Sequence, residues 1–126
     1  ASLVGSEMCI RDRSKKIYAG ADMFLMPSQS EPCGLAQMIA LRYGTIPIVR
    51  ETGGLRDSIH DAGDKNGNGF TFKSYNAHDM LDAVVRARAY YDDKMKWGRL
   101  VNTALKQNFS WTKSAKDYIA LYNDIH

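Results

Sequence analysis

The sequence predicts an α/β fold with about three parallel strands and flanking helices. Short apolar runs alternate with segments of helical period, in the order strand, helix, strand, helix, strand and then helices. The apolar runs are continuous rather than alternating, which is typical of strands buried on both faces of a parallel sheet. Two of these runs end in turns containing Gly that lead directly into a predicted helix. With 126 residues, the chain supplies at most one domain.

The first part of the chain supplies a strand and a helix. Residues 14–20 have the pattern of the end of a helix, and residues 21–26 form a continuous apolar strand. Residues 33–43 have helical period, and Gly44 follows them as a terminator. Leu35, Met38, Ile39 and Arg42 fall on one stripe of this helix at i, i+3, i+4 and i+7, and Leu41 broadens its apolar surface.

The middle of the chain supplies two further strands. Residues 46–49 form the second strand, in which Pro47 is compatible either with the first residues of a strand or with an edge position. A short helix is expected from Leu55 to about residue 60. A loop rich in Gly and Asn, residues 63–69, then leads to the third strand, residues 70–72.

The rest of the chain is predicted to be helical, and each helix has one apolar face. The first of these faces contains Met80, Leu81, Val84, Ala87 and Tyr91, and the second contains Trp97, Leu100, Val101, Ala104 and Leu105. Ser110 is a suitable N-cap for the last helix. The residues of that helix expected to point inward are Trp111, Ala115, Tyr118, Ile119 and Tyr122.

Composition and charge narrow the class of protein. The net charge of +3 comes from scattered basic residues, which argues against nucleic acid as a partner. No apolar segment reaches the length of a membrane span, and the two cysteines, Cys9 and Cys33, fit a reducing compartment. We therefore expect a cytoplasmic protein that binds neither nucleic acid nor a membrane. The oligomeric state stays open.

A calcium site is rejected on spacing. Asp64, Asn66 and Asn68 match the first half of an EF-hand loop, but the twelfth position, which needs a bidentate Glu, is Tyr75. The cysteines and histidines have no zinc-ligand spacing. We expect no metal and no cofactor.

The two turns that follow the first and second strands are the candidate binding elements. In an open parallel sheet, ligands bind outside the carboxyl ends of the strands, and a helix N-terminus there offers free N–H groups to an anion. In the first turn, Pro32 suits the first helical position and Gly34 permits close approach of a ligand, while the carboxylate of Glu31 favours sugar hydroxyls or developing positive charge. Spacing alone also allows a plain turn, and Cys33 fits a packed residue better than a nucleophile.

Residues 21–59, "ADMFLMPSQSEPCGLAQMIALRYGTIPIVRETGGLRDSI", resemble the C-terminal domain of the bacterial glycogen synthase and starch synthase family, which uses ADP-glucose. The segments "GNGFTF", "NAHDML" and "FSWTKSAKDYIALY" extend the resemblance to the C-terminus. Ile39 stands where many other retaining glycosyltransferases carry a second Glu. Ser30 departs from the aromatic residue that precedes the Glu in many members. Residues 1–13 show no resemblance and are expected to be a leader foreign to the family.

The resemblance implies that residues 14–126 are an incomplete, Rossmann-like C-terminal domain of the GT-B fold. It implies transfer of glucose from ADP-glucose to the non-reducing end of an α-1,4-glucan or glycogen acceptor, with retention of configuration. Glu31 would be the catalytic residue. The donor-binding residues implied are Cys33, Gly34, Leu35, Thr52, Gly53 and Gly54. The alternatives are a retaining GT-B enzyme with another nucleotide sugar and a non-catalytic nucleotide-sugar-binding remnant. This chain alone is expected to be inactive, because the facing domain is absent from it.

Overall fold

The computed structural model describes residues 13–30, 35–107 and 110–125. A helix covering residues 13–20, here α1, precedes the first strand. The remaining elements are β1 (Met23–Met26), α2 (Ala36–Arg42), β2 (Ile46–Arg50), α3 (Gly53–Ser58), β3 (Phe70–Phe72), α4 (Ala77–Asp92), α5 (Lys94–Leu105) and α6 (Trp111–Ile125). The predicted α/β class and the order of elements are confirmed.

The three strands form one parallel sheet in the order β1-β2-β3. Met23 pairs with Ile46, and Ile48 pairs with Phe70. Pro47 is the second residue of β2, which lies at the centre of this sheet. Of the two positions that the sequence allowed for this proline, the start of a strand is right and the edge is wrong.

The core surrounds the central strand. Ile46, Ile48 and Val49 of β2 are buried, as are Phe70 and Phe72 of β3, which agrees with the continuous apolar runs in the sequence. Burial of side chains of this size contributes about 1.5–3 kcal/mol each relative to exposure. The helices complete the core with Leu41, Leu55, Ala83, Ala87, Leu100 and Ala104.

The face that α2 buries differs from the predicted one. Gln37, Ala40 and Leu41 are buried, whereas Leu35 is 63% exposed and Ile39 is 42% exposed. The small side chain of Ala40 suits a close approach to the sheet, and Gln37 Nε2 donates to Ser58 Oγ over 3.2 Å. Helical spacing fits both faces of so short a helix, so packing against the sheet decides between them.

The next two helices largely bury the predicted faces. Helix α4 buries Ala83 and Ala87 and packs Met80, Val84 and Tyr90 against the core, but Leu81 and Tyr91 are exposed, contrary to the prediction. In α5, Leu100 and Ala104 are buried and Trp97 and Val101 pack against the core, but Leu105 is exposed, again contrary to the prediction. Both helices begin at side-chain caps: Asn76 accepts from the amide of Asp79, and Asp93 accepts from the amides of Met95 and Lys96.

Helix α6 does not face inward within the described part of the chain. Tyr118 is 73% exposed, and Ile119 and Tyr122 are also exposed, so the prediction for these residues is wrong. Ala115 is exposed as well, and the side chain of Trp111 lies outside the described structure. Helical period identifies an apolar face but not the surface that covers it. The N-cap prediction for Ser110 is confirmed by a bond from the Lys113 amide to Ser110 Oγ at 3.4 Å.

The loop before β3 is shaped by a buried amide and a glycine. Asn68 Oδ1 accepts from the amide of His60 at 2.8 Å, and Asn68 Nδ2 donates to the Ser58 carbonyl at 3.0 Å. A Cβ on Gly69 would lie only 2.6 Å from the carbonyl oxygen of Pro47. Since this oxygen belongs to the backbone of the central strand, no side-chain rotation can relieve the clash.

We expect Gly69→Ala to lower the free energy of unfolding by about 1–2 kcal/mol through overpacking against β2. Gly98→Ala is the matched control, because Gly98 lies inside α5 and a Cβ there would meet no atom within 4 Å. The control should be stabilised by about 0.5–1 kcal/mol through helix propensity. Thermal melting of both variants checks the prediction, and equal melting temperatures for the two would contradict it.

Candidate functional site

The candidate site lies at the carboxyl edge of the sheet. Because all three strands are parallel, the segments that follow β1, β2 and β3 meet at this edge. These segments are residues 27–30, residues 51–52 and residues 73–76. Both turns predicted from the sequence therefore emerge at the edge where ligands bind in open α/β sheets.

The first turn is described on both sides of its central residues. Residues 27–30 follow β1, and Leu35 is the N-cap residue of α2, with its carbonyl accepting from the amide of Ile39 at 3.0 Å. Leu35 is 63% exposed at this position, and its role in donor binding stays a prediction. Glu31, Cys33 and Gly34, the other site residues predicted in this turn, lie outside the described residues.

The second turn places its three predicted residues at the start of α3. Thr52 has extended backbone and precedes the helix, and Gly53 and Gly54 are its first two residues. Gly53 has a φ of 48°, a conformation that disfavours a side chain. Helices α2 and α3 contact each other, so the ends of the two turns lie on neighbouring elements.

Arg50 links the three segments at this edge. It is the last residue of the central strand, and its Nη1 donates to the carbonyl of Gln29 at 2.5 Å. Its Nε donates to the carbonyl of Lys73 at 3.2 Å, and the guanidinium lies 5.6 Å from the centre of the Tyr75 ring. One side chain thus contacts the segments after β1 and after β3.

A network of polar groups surrounds Thr71 and reaches Glu51, the residue that precedes the second turn. Thr71 Oγ1 donates to Glu51 Oε1 at 2.8 Å, and the Thr71 amide donates to Asp61 Oδ2 at 3.0 Å. Arg86 Nη1 donates to both carboxylate oxygens of Asp61, and Nη2 donates to the Thr71 carbonyl at 2.7 Å. The network connects α4, β3 and the residue that precedes Thr52.

Hydrogen bonds set the protonation state of this network. Burial alone would raise the pKa of Asp61, but the bonds from Arg86 and from the amides of Thr71 and Gly63, together with the charge of Arg86, hold that pKa below its ordinary value. Burial alone would lower the pKa of Arg86, but its hydrogen bonds to Asp61 and Asp82, together with the charges of these two carboxylates, raise the pKa above its ordinary value. The pair is therefore ionised at neutral pH.

A concave space lies between the ends of β1 and β3. It has a volume of about 330 Å³ and is lined by Pro27, Phe72, Tyr75, Asn76, Ala77 and Met80. Its walls are mostly apolar, and its position at the carboxyl edge places it beside Arg50. A space of this kind is suited to a planar or apolar group rather than to a phosphate.

Arg50 and the Asp61–Arg86 pair are functional candidates that the sequence pattern does not indicate. The only local signal for Arg50 is a charged residue at the end of an otherwise apolar strand. Asp61 and Arg86 are 25 residues apart and have no motif in common. Among the described residues, no group of three or more His, Cys, Asp and Glu side chains could hold a metal ion. No helix in the described ranges is long and apolar enough to cross a membrane.

The comparisons with known sequences identify the family. Residues 7–99 match the family described as glycosyl transferases group 1. The match begins at residue 7, and the boundary that we expect after residue 13 stays a prediction. The chain is 55% identical over 112 residues to the glycogen synthase of Anoxybacillus flavithermus, covering 87% of this chain and 23% of that protein. It is 54% identical over 114 residues to the glycogen synthase of Clostridioides difficile, covering 89% and 24%.

Solved structures have the same fold. The catalytic domain of starch synthase IV from Arabidopsis thaliana, bound to ADP and acarbose, superimposes with a TM-score of 0.74 at 47% identity, over 86% of this chain and 23% of that one. A sucrose-phosphate synthase from Thermosynechococcus elongatus gives a TM-score of 0.61 at 24% identity, over 86% and 26%, which shows the fold alone. This chain spans about a quarter of the length of the glycogen synthases that it matches. The sequence match and the parallel α/β fold together show that the chain belongs to the group 1 glycosyl transferase family.

Proposed function

We propose that this chain is the C-terminal segment of a glycogen or starch synthase. The full-length enzyme, meaning the complete chain that carries this segment, would transfer glucose from ADP-glucose to the non-reducing end of an α-1,4-glucan with retention of configuration. The observation that carries the proposal is the 54–55% identity to glycogen synthases over 87–89% of this chain. The ADP and acarbose bound to the structurally similar starch synthase support a nucleotide-sugar donor and a glucan-like acceptor.

The proposed roles follow from the position of the two turns. Glu31 would orient the donor glucose and stabilise positive charge at the reacting carbon, as fixed charges do when they are aimed at a transition state. Cys33, Gly34 and Leu35 would line the sugar and pyrophosphate from the first turn, and Thr52, Gly53 and Gly54 would form the neighbouring wall. The described residues of both turns lie at the carboxyl edge of the sheet, which supports this assignment.

We propose that the enzyme is cytoplasmic, that its substrate is ADP-glucose and that its reaction needs no cofactor or metal. Leaving-group charge would be stabilised by protein groups, some of which lie in parts of the enzyme that this chain does not contain. The resemblance to glycogen synthases supports these statements.

A donor panel tests the proposed function. We expect the purified full-length enzyme to incorporate the labelled sugar of the donor into glycogen, with a kcat/KM for ADP-glucose at least about tenfold above that for UDP-glucose or GDP-mannose, a difference of about 1.4 kcal/mol. The 126-residue chain alone is the control and should give no transfer. A preference for another nucleotide sugar would replace the proposed donor. Transfer by the short chain, abolished by Glu31→Ala, would refute the need for the rest of the enzyme.

A further inference from the structure

We infer that Arg50 is a positioning residue, which holds residues 27–30, the segment after β1, in register with the turn that carries Thr52, Gly53 and Gly54. This inference rests on the proposed function, because it concerns the relative placement of the two turns assigned to the donor. The observation behind the inference is the pair of hydrogen bonds that the Arg50 guanidinium donates at the carboxyl edge of the sheet.

Within the described sheet, Arg50 lies at the end of the strand that has a neighbour on both sides. Strand β2 lies between β1 and β3, so its last residue reaches both adjoining segments. The two acceptors are main-chain carbonyls that follow the paired residues of their strands, in Gln29 and Lys73. A rigid planar fork with several N–H donors suits this bridge, because one group can satisfy both carbonyls at fixed angles.

The carbonyl of Gln29 is the contact with functional consequence. Glu31 follows Gln29 by two residues, and two residues of chain reach at most about 7 Å. Holding the Gln29 carbonyl against the end of β2 therefore holds the described segment from which the chain continues, two residues later, to Glu31. The segment after β1 is otherwise an exposed loop at Gln29 and Ser30.

The other side of the bridge is a fixed frame. The residue after Arg50 is Glu51, whose amide donates to the Phe72 carbonyl at 2.9 Å and whose carboxylate accepts from Thr71. Thr71 is in turn held by Asp61 and Arg86. The second turn therefore follows Glu51, which is hydrogen-bonded to β3. Arg50 links this fixed strand end to the carbonyl of Gln29, in the segment that leads into the first turn.

Tyr75 restricts the orientation of the guanidinium. Its ring centre lies 5.6 Å from the Arg50 Cζ, within the range of a cation–π contact. Tyr75 also lines the apolar space between β1 and β3, so the guanidinium is held at the border of that space. The arrangement directs two of the N–H groups of Arg50 to the protein itself, which is the arrangement expected of a positioning group.

The test compares Arg50→Met and Arg50→Lys in the full-length enzyme. A misplacement of about 1 Å can lower a rate about 10²-fold, so we expect kcat to fall about 10–100-fold in both variants. The KM for ADP-glucose should stay within about threefold, because the substitutions remove no contact that binds the donor equally in the ground state and the transition state. Arg50→Lys should lower kcat nearly as much as Arg50→Met, because a single ammonium group cannot reproduce the fixed, planar set of N–H donors of the guanidinium.

A donor contact would give a different pattern. If Arg50 bound a phosphate of the donor, Arg50→Met would raise KM strongly and Arg50→Lys would restore most of the binding through its charge. That result would overturn the positioning role. The matched control is Arg88→Met on α4, which removes an arginine that bonds Asp92 and lies 5.9 Å from the Tyr91 ring. The control should keep the kcat of the unchanged enzyme.

Limited proteolysis gives a readout that does not depend on activity. We expect a nonspecific protease to cleave within residues 27–30 at least about tenfold faster in Arg50→Met, with the melting temperature within about 2 °C of the unchanged enzyme, because a local opening does not require global unfolding. An unchanged cleavage rate at these residues overturns the inference, even if the unchanged enzyme fails to transfer glucose and the proposed function falls. Faster cleavage with an unaltered kcat also overturns it, because Arg50 would then hold the loop without effect on the reaction.

Discussion

Glu31→Ala in the full-length enzyme is expected to lower kcat for glucose transfer by about 10²–10³-fold, the usual effect of removing a group that stabilises transition-state charge. The KM for ADP-glucose should change little. Under the proposed mechanism, the carboxylate acts most strongly when positive charge develops at the reacting carbon, and interactions made mainly in the transition state affect kcat rather than ground-state binding. Initial rates of glucose incorporation at varied ADP-glucose concentration measure both parameters.

Glu31→Gln separates charge from hydrogen bonding. The amide keeps the shape and one acceptor oxygen but removes the negative charge. If the carboxylate stabilises positive charge, Gln should lower kcat nearly as much as Ala. If it only orients sugar hydroxyls, Gln should retain most of the rate. Asp117→Asn is the control, since Asp117 is exposed on α6 and pairs only with Lys113 among the described residues. Near-normal kcat in Glu31→Ala would remove Glu31 from the mechanism.

The order of elements could be predicted from the sequence because each element has a local signature. Strand β2 begins with a continuous apolar run, and the first four of its five residues are buried. The sequence predicts a turn at Thr52, Gly53 and Gly54 and a helix from Leu55, and in the structure this helix, α3, already begins at Gly53. Parallel pairing then brings both turns to one edge without any further information.

The burial of helix faces could not be predicted with the same success. In α2, the buried residues Gln37, Ala40 and Leu41 have the same spacing as the stripe proposed from the sequence, displaced by a few positions. In α6, an apolar face is present but exposed within the described chain, as Tyr118 shows. Periodicity defines how apolar residues are arranged around a helix axis, whereas the partner surface depends on the whole fold.

The polar contacts at the site were beyond local patterns. Arg50 bonds to Gln29 and Lys73, which are more than 20 residues away on either side of it in sequence. Such contacts depend on strand order and register, and a single sequence contains no direct signal for them. The predicted site residues Leu35, Thr52, Gly53 and Gly54 have their expected places at helix starts, while their roles in donor binding stay predictions.

The second large effect is expected from Arg86→Met. Loss of the guanidinium leaves the Asp61 carboxylate and the Thr71 carbonyl without their Arg86 donors. Breaking a fully buried ion pair costs about 3–5 kcal/mol, whereas an exposed pair contributes about 0–1 kcal/mol. The Arg86 side chain is 39% exposed and that of Asp61 is 22% exposed, so an intermediate loss of about 2–3 kcal/mol is expected after allowing for solvent screening.

Arg88→Met is the matched control for this loss of stability. Arg88 lies on the same helix and pairs with Asp92 at 3.1 Å, but both side chains are exposed. Its removal should change the free energy of unfolding by no more than about 0.5 kcal/mol. Thermal melting of the full-length enzyme compares the two variants. Equal melting temperatures would show that the Asp61–Arg86 pair contributes no more than a surface pair.

The pH dependence of the Arg86→Met effect distinguishes the ion pair from simple packing. The pKa of Asp61 is held below 3.8 in the folded chain, so its stabilising contribution is fully present above that ordinary value and is lost as pH falls through the folded pKa. The difference in melting temperature between the unchanged enzyme and Arg86→Met should therefore be constant from about pH 5 to pH 8 and shrink below about pH 4. A difference that persists undiminished in acid would assign the effect to the contacts of Arg86 that do not titrate, namely its bond to the Thr71 carbonyl and its contact with the Phe70 ring, 6.0 Å from its Cζ, rather than to the carboxylate.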